Sequence, residues 1–532
     1  MTLVIRLIFF SSFLLIWISW GCLIAPRGYY LTYRICVRGF NIGFSVVIDY
    51  LSISRVILVL FISGCVFLFS HVYMRGDVNS DRFILLLGGF VLSIIILLIR
   101  RRIPLLLVGW DGLGVSSFLL IVYYDSKTNN RSGIITFVVN RFGDAVLIRT
   151  VIFFLIEGRM NIGGRYLSVF LVVSYMLVSI TKSAQYPFCM WLPLAIDAPT
   201  PVSALVHRRT LVTAGLFLIA RITPESYNPY LLLIGGVTLC VGGFCAVFST
   251  DLKKLIANST LSNLGLISFI LSLSNKRLIV LHLYTHALFK AGLFITAGAM
   301  LMRRFGVQDR RGLHGAGKNS PLLGSLLSSF FISSMGMFFI STFFSKHQIA
   351  LIAQILPVNL LSLVIIGLGV LFTTLYRIRF CYIILRRKLK IRLRSGVPYI
   401  VIISIGFLSL ASILYGNFAR HCLLNPVMCY EMPTNSIVII GVIFFLGSNS
   451  TLCSNIRKSI LQMDRVIDSL RKSRCCIQFL QSTDIGYGRV ESKKVIESLA
   501  IGGSLMVGTI ESNRVNLRII VVRACSILLF LQ

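Results

Sequence analysis

Leu278-Ile-Val-Leu-His-Leu-Tyr-Thr-His-Ala-Leu-Phe-Lys-Ala-Gly-Leu-Phe-Ile-Thr-Ala-Gly-Ala-Met-Leu-Met302 is an apolar run long enough to cross a hydrocarbon layer, yet it holds two histidines and a lysine. His282, His286 and Lys290 stand at i, i+4 and i+8, which places all three on one face of a helix. A charge at the centre of a bilayer costs roughly 2.5–3.5 kcal/mol on insertion scales, so such a face must meet a partner or water. Neutral imidazole passes a proton from one ring nitrogen to the other, and a lysine held out of water exchanges its proton nearer neutrality. The row has the parts of a proton relay. It also fits a structural reading in which buried charges pair and fix helix packing.

The rest of the chain is of the same kind. It has 532 residues, 56% of them hydrophobic and only 13% charged, with a mean hydropathy of +0.87. A soluble domain of this size could not hide so much apolar surface. At about 20 residues per span, helices are expected near 4–24, 54–73, 83–101, 103–124, 132–156, 166–184, 201–222 and 229–249. More are expected near 255–274, 278–302, 321–345, 355–379, 398–416, 435–452 and 514–532, about 15 in all. The 13 cysteines form no Cys-x-x-Cys pair and lie mostly in apolar segments, such as Cys65, Cys240, Cys245 and Cys525, so no metal site is expected. No Gly-rich nucleotide fingerprint follows a strand, so the chain is expected to bind neither NADH nor flavin. The opening apolar segment, Leu3 to Ile24, lacks a convincing cleavage site, and an amphipathic transit peptide is missing, which suits synthesis inside an organelle or a bacterium.

Two places break the apolar pattern alike. Lys182 ends one helix, and Gln185-Tyr-Pro-Phe with Pro193, Pro199 and Pro201 prevents its continuation. Further on, Phe343-Phe-Ser-Lys346-His347 interrupts another stretch, with Pro357 following. Interrupted helices in corresponding places of two halves point to an inverted-repeat transporter core, although two ordinary loops would read the same. Residues 453–513 are too polar to span, but Ile456, Ile460, Met463, Ile467 and Leu470 keep helical spacing, as for a helix along the membrane surface or against neighbouring helices. Ionisable residues within apolar segments are the candidate site: Asp111, Asp144, Lys182, His207, Lys253, Lys254, His282, His286, Lys290, Lys346 and His347.

These residues lie in motifs that resemble one family. Trp110-Asp-Gly-Leu-Gly-Val-Ser-Ser-Phe-Leu-Leu-Ile, Asn140-Arg-Phe-Gly-Asp, Lys182-Ser-Ala-Gln and Trp191-Leu-Pro are similar to segments of the antiporter-like chain 5 of respiratory complex I and the related cation/proton antiporter subunits. So are Ala198-Pro-Thr-Pro-Val-Ser-Ala-Leu-Val-His207, Asp251-Leu-Lys-Lys, Ser259-Thr-Leu-Ser, His286-Ala-Leu-Phe-Lys290-Ala and Phe344-Ser-Lys346. The match covers roughly residues 80–350 and fades to general architecture outside them. It implies an all-α polytopic membrane fold with two inverted five-helix bundles, each holding a lysine on a broken helix, Lys182 and Lys346. It implies that Asp111 is the acidic partner of Lys182, that His207 connects onward, and that Lys290 lies between the halves. A long lateral helix at 453–513 and a final anchor at 514–532 would complete it, after terminal helices at 398–452. The halves fall at 81–222 and 223–397, behind N-terminal helices in 1–80. The implied activity is proton translocation in the inner mitochondrial membrane, driven by electron transfer on other subunits, which would hold the NADH, FMN, iron–sulfur clusters and ubiquinone. Implied partners are the neighbouring antiporter-like subunits and phospholipids such as cardiolipin, with no nucleic acid. A bacterial Na+/H+ antiporter subunit and a transport-inactive membrane anchor are the alternatives.

Three departures stand out. Asp111 occupies a position where the family usually has glutamate, a methylene longer. Only about 25 residues separate the first helix from Asp49-Tyr-Leu-Ser, so one N-terminal span seen in the family is missing. The family's small residues after the connecting histidine appear here as His207-Arg-Arg-Thr210. The chain has 38 Arg against 14 Lys, and only 18 acids meet these 52 basic residues. Arg55, Arg149, Arg208 and Arg209 fall in apolar stretches, and Arg100-Arg-Arg102 in a tight loop. Two unpaired central arginines would cost at least about 5–7 kcal/mol. In invertebrate mitochondria AGA and AGG encode serine, so many of these arginines are expected to be serines read in the wrong code. The rival is a basic protein whose arginines snorkel or bind cardiolipin. On the serine reading the formal charge of +34 says nothing about partners.

Overall fold

The first described element is a strand. In the computed structural model, Tyr29–Val37 (β1) and Phe40–Ile48 (β2) pair antiparallel from Val37↔Phe40 out to Tyr29↔Ile48. Tyr, Thr, Ile, Val and Phe dominate both segments, and such residues favour a pleated backbone. This hairpin lies in the interval in which a further span seemed missing, and the other described elements are helices, as expected of an all-α fold. The structure describes residues 29–37, 40–48, 50–99, 103–156, 169–205, 211–222, 228–273, 276–304, 306–308, 315, 317, 320–336, 340–355, 360–386 and 396–423. The helices expected at 4–24, 435–452 and 514–532, and the lateral helix at 453–513, lie outside the described residues. So do His207, Arg208, Arg209 and Arg100-Arg-Arg102.

Fifteen α-helical segments follow among the described residues. They are α1 (Tyr50–Tyr73), α2 (Ser80–Ile99), α3 (Ile103–Ile121), α4 (Lys127–Ile156), α5 (Val169–Lys182), the short α6 (Trp191–Leu194) and α7 (Thr200–Leu205), and α8 (Leu211–Ile222). Next come α9 (Pro229–Phe248), α10 (Leu252–Ser272), α11 (Lys276–Arg303), α12 (Pro321–Met335), α13 (Ser341–Ile355), α14 (Leu360–Arg386) and α15 (Tyr399–Leu423). Eight of them, α1, α2, α3, α9, α10, α11, α14 and α15, are long and apolar enough to cross a membrane. Local chemistry sets several ends. Asn228 caps α9 by accepting from the Leu231 N–H at 3.3 Å, with Pro229 at the first helical position. Pro321 likewise opens α12, and Gly336, in the left-handed region at φ 84°, ends it.

The outward faces are apolar, the reverse of a soluble bundle. Leu85 and Leu92 on α2, Leu233, Val237 and Phe244 on α9, and Ile403, Phe407, Leu410 and Leu414 on α15 are all exposed at helical spacing. The polar side chains lie inside instead. From Leu278 to Leu301 every residue of α11 is buried, because α1, α7, α10, α12, α13 and α15 pack around it. Most buried serines and threonines donate to the carbonyl three residues earlier, as Ser259 does to Ile256 and Thr285 to His282. Such bonds let hydroxyls sit in an apolar interior without an orphaned donor.

Helix α10, buried except at Lys254 and Asn258, lies against α9 with glycines at the contact. A Cβ on Gly235 would come 2.6 Å from Ser268 Oγ and 2.7 Å from the Phe269 backbone nitrogen, so the two helices can approach this closely only with glycine there. The expected span at 321–345 is two helices, and the break falls at Gly336 rather than at Phe343–His347. Gly336 is the reason: its left-handed backbone turns the chain out of α12, whereas Phe343–His347 has no residue that prevents a helix.

Candidate functional site

Lys182 is the last residue of α5, and the chain leaves the helix through the cap described below. Its side chain is buried, with 2% of its surface exposed. The close approach of α4 and α8 encloses the stem. A Cβ on Gly143 would collide with the Thr181 hydroxyl, and one on Gly215 would lie 2.8 Å from the Ser179 carbonyl and 3.3 Å from Lys182 Cβ. The ammonium stands 3.8 Å from Asp144 Oδ1, an ion pair too long for a direct hydrogen bond, and 4.9 Å from the centre of the Trp110 ring.

Asp144 is the hub. Trp110 Nε1 donates to its Oδ1 at 2.7 Å, and Arg141 Nη1 approaches its Oδ2 at 3.6 Å from one turn earlier on α4. The same Arg141 nitrogen lies 3.4 Å from Asp111 Oδ1. Two carboxylates and two cations thus form one chain, Asp111–Arg141–Asp144–Lys182, with formal charges that cancel. The acid in contact with Lys182 is therefore Asp144, while Asp111 stands further off, paired with Arg141. This corrects the expected Asp111–Lys182 pair, and the cause is geometric: the short Asp111 side chain is half exposed on the outer flank of α3.

Arg141 and Trp110 belong to this site although the sequence reading gives them no role beyond their motifs. Their signal lay in spacing, since Arg141 is three residues before Asp144 and so shares its face.

The other candidates lie on the second half of the described chain. His282, His286 and Lys290 do share a buried face of α11. Lys290 Nζ donates to Ser259 Oγ on α10 at 2.5 Å, and His282 Nδ1 is 2.9 Å from Ser345 Oγ on α13. The His286 ring meets Phe289 edge-on at 5.4 Å between centres. Ser345 precedes Lys346, whose ammonium donates to the Met335 carbonyl at 3.0 Å and the Ser334 carbonyl at 3.3 Å, with Thr373 Oγ1 at 3.5 Å. Those carbonyls end α12 and carry the negative pole of that helix, so a helix terminus holds this lysine where a carboxylate holds Lys182. Arg377 on α14 donates to the same Ser334 carbonyl and is 1% exposed. Among the described residues no carboxylate pairs with it.

His347 is buried with its ring 4.6 Å from that of Phe343. Lys253 is buried at the start of α10, while Lys254 is 61% exposed and pairs with Asp251 at 3.3 Å, outside the interior chain. Among the described residues no cluster of three or more His, Cys, Asp or Glu could hold a metal. Arg55 is buried over the Phe217 ring at 3.9 Å, Arg379 donates to the Val247 carbonyl, and Arg149 is exposed.

The arrangement holds three buried lysines in three different ways, by carboxylate, hydroxyl and helix end, with two histidines along the helix between them. That is the chemistry of stepwise proton transfer rather than of bond-making on a bound substrate.

Known proteins match this arrangement in sequence and fold. The family described as NADH:quinone oxidoreductase/Mrp antiporter, TM, matches residues 102–374, and the family described as NADH-Ubiquinone oxidoreductase (complex I), chain 5 N-terminus, matches 35–84. NADH-ubiquinone oxidoreductase chain 5 of Anopheles quadrimaculatus is 35% identical over 440 residues, 78% of this chain and 76% of the mosquito protein. The chain 5 of Aedes aegypti is 33% identical over 85% of this chain and 80% of its own length, and that of Mytilus edulis 39% identical over 64% and 62%. A solved structure of the Mrp complex from Dietzia sp. has the same fold, with a TM-score of 0.73 at 19% identity, covering 98% of this chain and 60% of that one. By its motifs, its fold and its relatives, the chain belongs to the family of complex I chain 5 subunits, within the wider NADH:quinone oxidoreductase/Mrp antiporter group.

Proposed function

We propose that the chain is a membrane-arm subunit of proton-translocating NADH:ubiquinone reductase, and that it moves protons while other subunits carry out the redox chemistry. The single observation that carries this reading is the buried Asp144–Lys182 ion pair, held by Trp110 and Arg141. A scaffold would have no use for an ion pair that costs so much to insert. Protons would pass between Lys182, the His286 and Lys290 face of α11, and Lys346, with His207 as the link after Lys182 and Lys253 feeding α10. Asp111 and Arg141 would form the gate, since a charge arriving at Asp111 draws Arg141 away from Asp144 and changes the hold on Lys182. NADH, FMN, iron–sulfur clusters and ubiquinone would belong to other subunits.

The finer architecture belongs to the same reading. It comprises about 15 spans, inverted five-helix halves at 81–222 and 223–397, terminal helices at 398–452, a lateral helix at 453–513 and an anchor at 514–532. The membrane would be the mitochondrial inner membrane. Val108 and Val115 on α3 and Val138 and Phe142 on α4 are exposed on the flank that also carries Asp111 and Arg141. Charges set into an apolar flank are costly in lipid, so this flank would lie against a neighbouring antiporter-like subunit, with cardiolipin filling the remaining surface.

Lys182→Met in the assembled complex tests the function. The expected result is electron transfer that no longer drives wild-type proton uptake into sealed vesicles. Wild-type protons per electron in K182M would overturn it.

A further inference from the structure

We infer that Gln185 is a positioning residue for Lys182, a clamp that locks the break after α5 onto α9 and α10. The inference rests on the reading of Lys182 as a proton carrier. Two independent observations meet at this break.

The first is the backbone. The Gln185 N–H donates to the Ile180 carbonyl at 3.1 Å, and the residue between helix and turn, Ala184, is in the left-handed region at φ 54°. That is the six-to-one bond of a helix cap whose left-handed position usually goes to glycine. Alanine carries a Cβ penalty there, so the conformation persists only where surrounding contacts impose it.

The second is the side chain that follows. Gln185 is 1% exposed, and its amide is held from two helices. Its Oε1 accepts from Thr238 Oγ1 on α9 at 2.6 Å and from Ser268 Oγ on α10 at 3.2 Å. Its Nε2 donates to the Leu264 carbonyl of α10 at 3.3 Å. The two hydroxyls also face the Gly235 and Gly265 carbonyls at 2.9 Å and share their single protons, and these contacts together with the Nε2–Leu264 bond supply the constraint that Ala184 requires. The two hydroxyls converge because the glycine contact at Gly235 and Gly265 brings α9 and α10 together at that level.

The clamp has a mechanical consequence. Helix α10 docks Gln185 at Leu264 and Ser268, and holds the Lys290 ammonium at Ser259. Ser259 and Ser268 are about 13 Å apart along one helix. A single buried rod therefore sets the separation of two proton carriers, one directly and one through the three-residue link from Lys182 to Gln185. Loosening the clamp lets the end of α5 shift against Asp144 while Lys290 stays in place.

The test uses the assembled complex in sealed vesicles, reading protons translocated per electron and the pH profile of that ratio. In Gln185→Ala the ratio should fall at least twofold and its pH profile should move. Gln185→Glu keeps the size and the Oε1 acceptor but sets a second acceptor oxygen against the Leu264 carbonyl in place of the Nε2 donor, so it should lower the ratio as well. If Q185A does not assemble, Thr238→Val with Ser268→Ala decides, since it removes both donors and leaves Gln185 intact. A wild-type ratio in the assembled variant, or a lowered ratio with an unmoved pH profile, overturns the clamp. K182M separates the two readings. If it pumps normally, the carrier reading fails; if it stops pumping while Q185A is normal, the clamp alone fails.

Discussion

Asp144→Asn changes one oxygen to an amide and removes the charge that Lys182 faces. The lysine ammonium lies 3.8 Å from the carboxylate, and the Asp144 side chain is only 6% exposed, so solvent screens the pair little. At an effective dielectric of about 20 such a pair is worth about 4 kcal/mol. Arg141, a third exposed, loses much less, about 1 kcal/mol at most. The loss therefore falls on Lys182 and shifts its balance between paired and separated states by two to three orders of magnitude, at about 1.4 kcal/mol per factor of ten. An asparagine oxygen can still accept from Trp110 Nε1, so the helices should keep their packing and the complex should assemble. The assay is proton uptake per electron in vesicles, with Asp144→Glu as the charge-retaining control and Asp111→Asn in parallel. D144N should lower the ratio about tenfold or more, D144E much less, and D111N less than D144N because Asp111 is half exposed and pairs with Arg141. Equal losses in D144N and D111N would refute the ordering, and normal pumping by assembled D144N would refute the role of the pair.

The other perturbations probe neighbouring contacts. Ser259→Ala strips Lys290 of a short hydroxyl bond and should cost about 1.5–3 kcal/mol, read as a lower melting temperature of the purified complex. Gly143→Ala drives a methyl into the Thr181 hydroxyl where α4 crosses α5, an overpacking worth about 1–3 kcal/mol. Adding Thr181→Ala should recover part of that stability, and no recovery would mean that the contact is not the cause. Peptide mass spectrometry of the native protein should find serine at 208, 209 and 377. Arginine masses at all three positions would end the code argument.

The fold was legible where a helix is uniformly apolar or carries a periodic polar face. The expected span at 278–302 is α11 almost to the residue, because both its apolar length and the His282–His286–Lys290 row have helical period. The hairpin was missed for the opposite reason. Its strands are short and rich in Tyr and Ile, and next to long apolar runs they read as linker. The second break was misplaced because Lys346 drew attention to itself, whereas the element that turns the chain is Gly336, ten residues earlier. One glycine among the many in apolar helices gives no local signal. The site followed the same rule. Ionisable residues in apolar stretches were visible one by one, but which acid meets Lys182 depends on how α3, α4 and α5 cross, and spacing along the chain does not encode that.

The three lysines differ in what balances them. At Lys182 the charges cancel within the cluster, so that site can store a proton without help from outside. At Lys346 the counter-charge among the described residues is the end of a helix, worth about half an elementary charge, and Arg377 draws on the same carbonyl. A guanidinium stays charged throughout, so it would compete with the lysine for that carbonyl in every protonation state. A serine at 377 would instead donate back along α14, as Thr373 and Thr374 do four and three residues before it, and leave the helix end to Lys346 alone. On the carrier reading proposed above, Lys346 would then have a hold weak enough to release a proton and strong enough to take one back. The electrostatics of the second half and the identity of residue 377 are thus one question.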